Sequence, residues 1–230
     1  MDLKRIALII LIIFLPLFFL LQSTELNTFN RNLYLKSYEK HDAMEITGRT
    51  MEELDGITQT ILQYLRKGLD EEVLRPFFNE REVNHMKDVK FLFKYGFIFK
   101  NISLALSLSV IVIVIISKEY RYFAKGLFYG IFAWWGLFIL LFLLATMDFT
   151  KYFTYFHLIF FDNDLWLLNP RTDLLIQMLP EQFFIGIFRR IILLFVSILA
   201  TIQIIAYILM KKERKGNGRT MDFQGLFKRY

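Results

Sequence analysis

Four stretches of this chain, residues 6–21, 97–117, 127–147 and 185–210, are almost free of charge and nearly all apolar. A segment needs about 20 mainly apolar residues to cross a bilayer as a helix, and inside the hydrocarbon a helix satisfies its own backbone polar groups. With 55% hydrophobic residues and 26 phenylalanines among 230, the chain carries more apolar surface than a soluble globule of this size can bury. The sequence therefore specifies an all-α integral membrane protein with four transmembrane helices. The first stretch follows Lys4 and Arg5 and is short enough for a signal peptide. Gln22-Ser23-Thr24 behind bulky Leu20 and Leu21 fits a small-residue cleavage site poorly, so a retained anchor is expected.

Charge orients the spans. The N-terminus, residues 118–126 and the tail from Lys211 carry net charges of +1, +2 and +5, whereas residues 22–96 and 148–190 carry −2 and −1. Basic residues favour the cytoplasmic side, so both termini are expected there. The basic balance thus reports membrane orientation and contact with membrane lipids, and no nucleic-acid partner is implied. Arg189-Arg190 breaks the pattern at the outer end of the fourth span. Either the pair snorkels at the interface, or Arg189 recognises a polar group of a substrate.

The expected organisation follows. Residues 1–21 form the first transmembrane helix and 22–96 a small extracellular cap of mixed, mainly helical structure. Residues 97–147 form the second and third transmembrane helices with a short cytoplasmic loop. Residues 148–184 are an extracellular aromatic interfacial segment, 185–210 the fourth transmembrane helix and 211–230 a basic cytoplasmic tail, disordered beyond Lys211. In the cap, residues 29–38 partly alternate apolar and polar side chains, a strand signal. Thr50 with Glu53 makes a capping box, and Leu54, Ile57, Ile61 and Leu65 follow at helical spacing as far as Gly68.

Chemistry is limited by what is absent. There is no cysteine, which excludes a thiol nucleophile and thiolate zinc sites, and there are only three histidines. Asn79 with Glu82 opens a second helix running towards the second span. On it His85 and Asp88 share a sector, while Lys87, Lys90 and Lys94 share the opposite stripe. If the lysines face water, His85 faces inward, with Asp88 close enough to bias its imidazole or simply to satisfy a structural histidine. His157 lies at the margin of an aromatic stripe made by Phe149, Phe153, Phe156 and Phe160. Desolvation there favours a neutral ring able to accept a proton, although aromatic anchoring at a membrane interface explains the phenylalanines equally well. A polar cluster follows, in which Asp164 and Asp173 are either helix caps or carboxylates supporting a histidine. Pro180 suits the first turn of the fourth span.

Several strings stand in an unusual combination: Thr47-Gly48, Glu53-Leu54 and Tyr64-Leu65; Arg81-Glu82-Val83-x-His85-Met86-x-Asp88-Val89-Lys90; and Phe156-His157 with Ile159-Phe160-Phe161, Asn163-Asp164-x-Trp166, Pro170-x-Thr172-Asp173 and Pro180-Glu181. In these the whole chain resembles the bacterial lipoprotein intramolecular transacylases, small membrane proteins of monoderm bacteria. The resemblance implies a multi-pass protein of the bacterial cell membrane whose active site lies at the extracellular interface. It implies an enzyme that moves the sn-2 acyl chain of a diacylglyceryl lipoprotein onto the α-amine of that lipoprotein's own N-terminal cysteine. No cofactor and no metal are implied.

Within the resemblance His85 and His157 become the catalytic pair, with His157 as base and His85 as acid or oxyanion stabiliser, or the reverse. Asp88, Asp164 and Asp173 become supporting groups. Tyr95, Phe153, Phe156, Phe160 and Trp166 become an aromatic substrate chamber, with Arg189 on a substrate carbonyl or headgroup. Two rivals stay open on the residues alone: a metallohydrolase built on the same histidines and carboxylates, and a non-catalytic membrane partner or sensor.

Overall fold

The computed structural model describes residues 2–217, with side chains described through Lys212. Among the described residues every regular element is a helix and there is no strand. In chain order the helices are α1 (Leu3–Thr28), α2 (Arg31–Lys40), α3 (Ala43–Thr47) and α4 (Met51–Lys67). A short 3-10 turn (Glu71–Val73) leads to α5 (Glu80–Ser117), α6 (Tyr120–Met147), α7 (Phe149–Phe160), α8 (Leu174–Met178) and α9 (Glu181–Asn217). Four of them, α1, α5, α6 and α9, are long and apolar enough to cross a membrane, which makes this a multi-pass membrane protein.

The chain forms two compact units. One contains Leu20–Lys100 and Leu140–Leu194 and holds both histidines of the strings above. Its core is apolar and aromatic: Tyr34 and Tyr38 of α2, Leu54, Ile57, Ile61 and Tyr64 of α4, Val83 and Met86 of α5, Leu175 and Met178 of α8, and Phe183 of α9. Fully burying one such side chain stabilises by roughly 1.5–3 kcal/mol, so several small helices hold together here without a disulfide.

α4 begins as its sequence dictates. The Thr50 backbone N–H donates to Glu53 Oε2 (2.7 Å), and the Glu53 N–H donates to Thr50 Oγ1 (3.2 Å). It ends where Gly68 takes φ +65°, a left-handed conformation at low cost only for glycine.

The strand expected over residues 29–38 is not there: α2 occupies that stretch, opened by Asn30, whose side chain accepts from the Asn32 N–H. Tyr34, Ser37 and Tyr38 are its buried residues, a spacing of three and four that only a helix turns to one side. The apparent alternation came from half-buried Leu33 and Leu35. The lysine stripe also differs from expectation. Lys87 is exposed, but Lys90 is drawn against the core, 4.4 Å above the Tyr64 ring and paired with Glu71. Chain past Lys211, expected to be disordered, continues as helix to Asn217. The rest of the expected tail, 218–230, lies outside the described residues.

The other unit contains the described parts of Met1–Phe19, Asn101–Ile139 and Phe195–Tyr230. Small residues let its helices approach. A Cβ on Gly130 would fall 2.6 Å from Ile12 of α1, and one on Gly126 would fall 2.4 Å from Leu8. Polar groups are paired: Trp134 Nε1 donates to the Ile12 carbonyl (2.8 Å), and Trp135 Nε1 donates to Gln203 Oε1 (2.9 Å). A donor left unsatisfied in hydrocarbon costs several kcal/mol, which explains why both indoles reach across to a neighbour.

Candidate active site

α7 builds the first half of the site. Asp148 caps it by accepting from the Lys151 N–H (3.0 Å), and its phenylalanines then line one side: Phe149 stacks on Phe153 at 5.4 Å, and Phe156 lies tilted against Phe160 at 4.8 Å. Within that wall His157 is 8% exposed, with Phe153 edge-on at 4.5 Å. Its Nδ1 lies 2.7 Å from the Phe153 carbonyl oxygen. A carbonyl oxygen can only accept, so Nδ1 carries the hydrogen, and in the neutral ring Nε2 holds the free lone pair. Burial among apolar side chains holds the imidazole below its ordinary pKa, against a smaller opposing pull from that carbonyl.

α5 brings the second half. Its start is fixed by Asn79, whose Oδ1 accepts from the Arg81 and Glu82 N–H groups at 2.9 and 3.1 Å, while Glu82 Oε2 accepts in return from the Asn79 N–H at 2.8 Å. One turn later His85 is buried, its Nδ1 without a hydrogen-bond partner among the described residues. The His85 and His157 ring centroids are 6.2 Å apart. Phe161 forms a wall common to both, 5.5 Å from His85 and 5.6 Å from His157.

A turn after α7 closes the far side of His157. Trp166 stacks on the imidazole at 4.7 Å with the planes 26° apart. Two imidazoles in an aromatic enclosure, one with a defined free nitrogen and one with an unpaired polar atom, can exchange protons with a bound substrate without supplying a nucleophile of their own.

Against known proteins, a family model described as lipoprotein intramolecular transacylase Lit matches residues 9–184. The chain belongs to the lipoprotein intramolecular transacylase Lit family. It is accordingly a membrane acyltransferase. Among solved structures, the membrane-integral lipoprotein intramolecular transacylase Lit from Bacillus cereus has a similar fold, with a TM-score of 0.82 at 20% identity over 92% of this chain and 97% of that one. Two variants of the Bacillus cereus protein, one with a histidine replaced by arginine and one with it replaced by alanine, are similar at TM-score 0.76 and 20% identity. They match 92% of this chain and 94% and 95% of theirs. At that identity the likeness is one of fold. No curated protein matched.

In this Lit-family chain the other residues singled out from the sequence fall in different places. Asp88 accepts from Asn163 Nδ2 at 2.9 Å, and no hydrogen bond joins it to His85 among the described residues. Asp164 is exposed, 3.4 Å from Arg81, and its backbone carbonyl accepts from the same guanidinium. Asp173 is buried and accepts from the Asn169 N–H (2.8 Å), Thr172 Oγ1 (2.9 Å) and Asn79 Nδ2 (3.1 Å). Those bonds outweigh its burial and hold its carboxyl below the ordinary range. It stands at the N-cap position of α8 but makes no side-chain cap bond.

Phe153, Phe156 and Trp166 surround His157, whereas Phe160 touches Phe156 and is exposed. Tyr95 is exposed on α5, ten residues and about 15 Å along the helix from His85. Arg189 is exposed on α9, and no hydrogen bond or ion pair links it to either histidine among the described residues. Nor, among the described residues, do three or more His, Asp or Glu side chains gather in a way that would hold a metal ion.

Sequence reasoning passed over Phe161, Asn163 and the bridging role of Glu82. Phe161 sits just past α7 in extended backbone, so the helical phase of its neighbours does not forecast its direction. Asn163 within Asp-Asn-Asp looks like an ordinary turn former, and its bond to a residue 75 positions away leaves no local trace.

Proposed function

We propose that this enzyme transfers the sn-2 acyl chain of a diacylglyceryl lipoprotein to the α-amine of that lipoprotein's N-terminal cysteine, with His157 as general base and His85 as its partner. The observation that carries this reading is the His157 Nδ1–H bond to the Phe153 carbonyl, since it leaves Nε2 as a proton acceptor in a ring that burial keeps neutral. The α-ammonium of a peptide has a pKa near about 8 and must lose a proton before it can attack. The amine nitrogen then adds to the sn-2 ester carbonyl, and a tetrahedral oxyanion forms. Collapse breaks the ester C–O bond, makes the amide and leaves the glyceryl oxygen to take a proton. Products are an N-acylated lipoprotein with a free sn-2 hydroxyl.

Burial, with His157 beside it, pushes the His85 pKa down to about 4, so His85 too is neutral, and it suits the complementary task of donating a neutral N–H to the oxyanion or to the departing oxygen. The two ring centroids are separated by 6.2 Å, so both imidazoles lie within reach of one substrate headgroup. Acid–base help contributes roughly 10² to 10⁴ in rate, whereas holding amine and ester in contact can supply up to about 7–11 kcal/mol. Positioning is therefore the larger share. Phe153, Phe156, Phe161 and Trp166 enclose the imidazoles and suit a substrate whose two reacting ends are joined to acyl chains, with Phe160, Tyr95 and Arg189 further out along its path.

The outer face of the membrane is the proposed location, with both termini cytoplasmic, because the basic loop 118–126 and the basic end of the chain belong on the cytoplasmic side.

Mass spectrometry tests the reaction. After incubation with a synthetic diacylglyceryl lipopeptide, the intact mass should be unchanged while one acyl increment moves to the N-terminal fragment. Release of free fatty acid would instead indicate a hydrolase, and an unchanged fragment pattern a binding protein. His157→Ala and His85→Ala should each lower the transfer rate by about 10² to 10⁴. Full turnover in both would refute the assigned roles.

A further inference from the structure

The turn between α7 and α8 is tied to α5 by Asn163. Its Nδ2 donates to Asp88 Oδ2 (2.9 Å), its Oδ1 accepts from the Leu165 N–H (3.0 Å), and its backbone carbonyl accepts from Trp166 Nε1 (2.9 Å). Every hydrogen-bonding group that Trp166 offers from its side chain is thus spent on Asn163, while the face of its ring lies on His157. Asp88, three residues past His85 on α5, turns its carboxylate to the amide of Asn163.

We infer that Asn163 is a positioning residue for the transfer: by anchoring the turn to Asp88 on α5, it holds the Trp166 indole against His157 and so fixes the imidazole beside His85. A ring whose one side-chain hydrogen bond among the described residues is to a carbonyl one turn away can still rock about its χ angles; a stacked indole removes that freedom. Orientation matters because a displacement on the order of 1 Å at a reacting group can cost about 10²-fold in rate. The inference rests on the assignment of His157 as a catalytic residue.

The test exchanges donor and acceptor in the full-length, detergent-solubilised protein. Asn163→Asp removes the amide that donates to Asp88 while keeping an oxygen for the Leu165 N–H. The double variant Asn163→Asp with Asp88→Asn restores the bond in reverse. Two quantities are read: kcat for acyl transfer, and the His157 ring signal in protein labelled at histidine alone, a label with only three sites. Asn163→Asp should lower kcat about tenfold, less than the roughly 10² to 10⁴ that the whole of acid–base help supplies, and should move the His157 signal downfield as the indole ring current is lost. The double variant should recover both.

An Asn163→Asp enzyme with wild-type kcat, a His157 signal that stays in place, or a double variant no better than the single one would each overturn the inference. His157→Ala is run in parallel. If it transfers acyl chains at the wild-type rate, the two-histidine reading itself fails; if it is inactive while Asn163→Asp is normal, only the role of Asn163 falls.

Discussion

The chemistry of the site turns on the hydrogen position of one imidazole. With Nδ1 donating to the Phe153 carbonyl, His157 presents Nε2 as an acceptor, and burial holds its pKa below the ordinary histidine value. Stability should follow. An unfolded histidine takes up a proton near about pH 6.5, whereas the buried ring does so only at lower pH, so over that window the unfolded state binds more protons and stability falls as pH falls. The thermal midpoint in detergent should therefore drop on acidification from about pH 7 to pH 5, and His157→Gln, which cannot be protonated there, should show a shallower slope. His85, whose pKa burial and the neighbouring His157 push down to about 4, adds to the same fall, so equal slopes in the two proteins would mean that His157 does not contribute. The lowered basicity was legible in the order of residues and the structure bears it out; the hydrogen position was not. The aromatic stripe around His157 announced desolvation; the partner of Nδ1 depended on α7 forming.

At the scale of elements, short polar links decide where helices begin and meet. Glu82 is 1% exposed and accepts from two backbone donors, the Asn79 N–H at the start of α5 and the Leu175 N–H at the start of α8. Asn79-x-x-Glu82 was legible as a helix start, but the reach to α8, 93 positions along the chain, was not. Glu82→Ala strands the buried Leu175 N–H and should destabilise by roughly 1–3 kcal/mol, with a smaller loss from the exposed Asn79 end of the pair. Glu82→Gln keeps one acceptor oxygen and should lose less, as thermal unfolding in detergent would show. Helix packing gives a second test. A side chain on Gly130 meets Ile12, whereas one on Gly136, two turns along α6, meets nothing within 4 Å. Gly130→Val should lower the melting midpoint by more than Gly136→Val, and the reverse order would mean that α1 and α6 do not depend on close approach.

For the whole molecule, the proposed orientation is open to direct measurement, because the chain has no cysteine of its own. Glu39→Cys should react with a membrane-impermeant maleimide on intact cells, and Tyr120→Cys in the 118–126 loop only after permeabilisation; both positions are exposed. Labelling with the opposite pattern would reverse the topology. The spans and the helical class were set by composition and hydropathy in the sequence itself, because a bilayer leaves an apolar segment of that length hardly any alternative to a helix. α4 was likewise fixed locally, by Thr50, Glu53 and Gly68 acting within a few residues of one another. α2 was misjudged, since alternation over ten residues cannot say which side of a short segment its neighbours will cover. Tertiary structure alone decided that His85 and His157, 72 positions apart in the chain, share the wall of Phe161, and that Asp88 answers to Asn163. Local sequence dictates elements through interactions that span a turn or two; a site is made where separate elements pack, and that is fixed by the summed burial of many side chains, none of which carries the address of its partner.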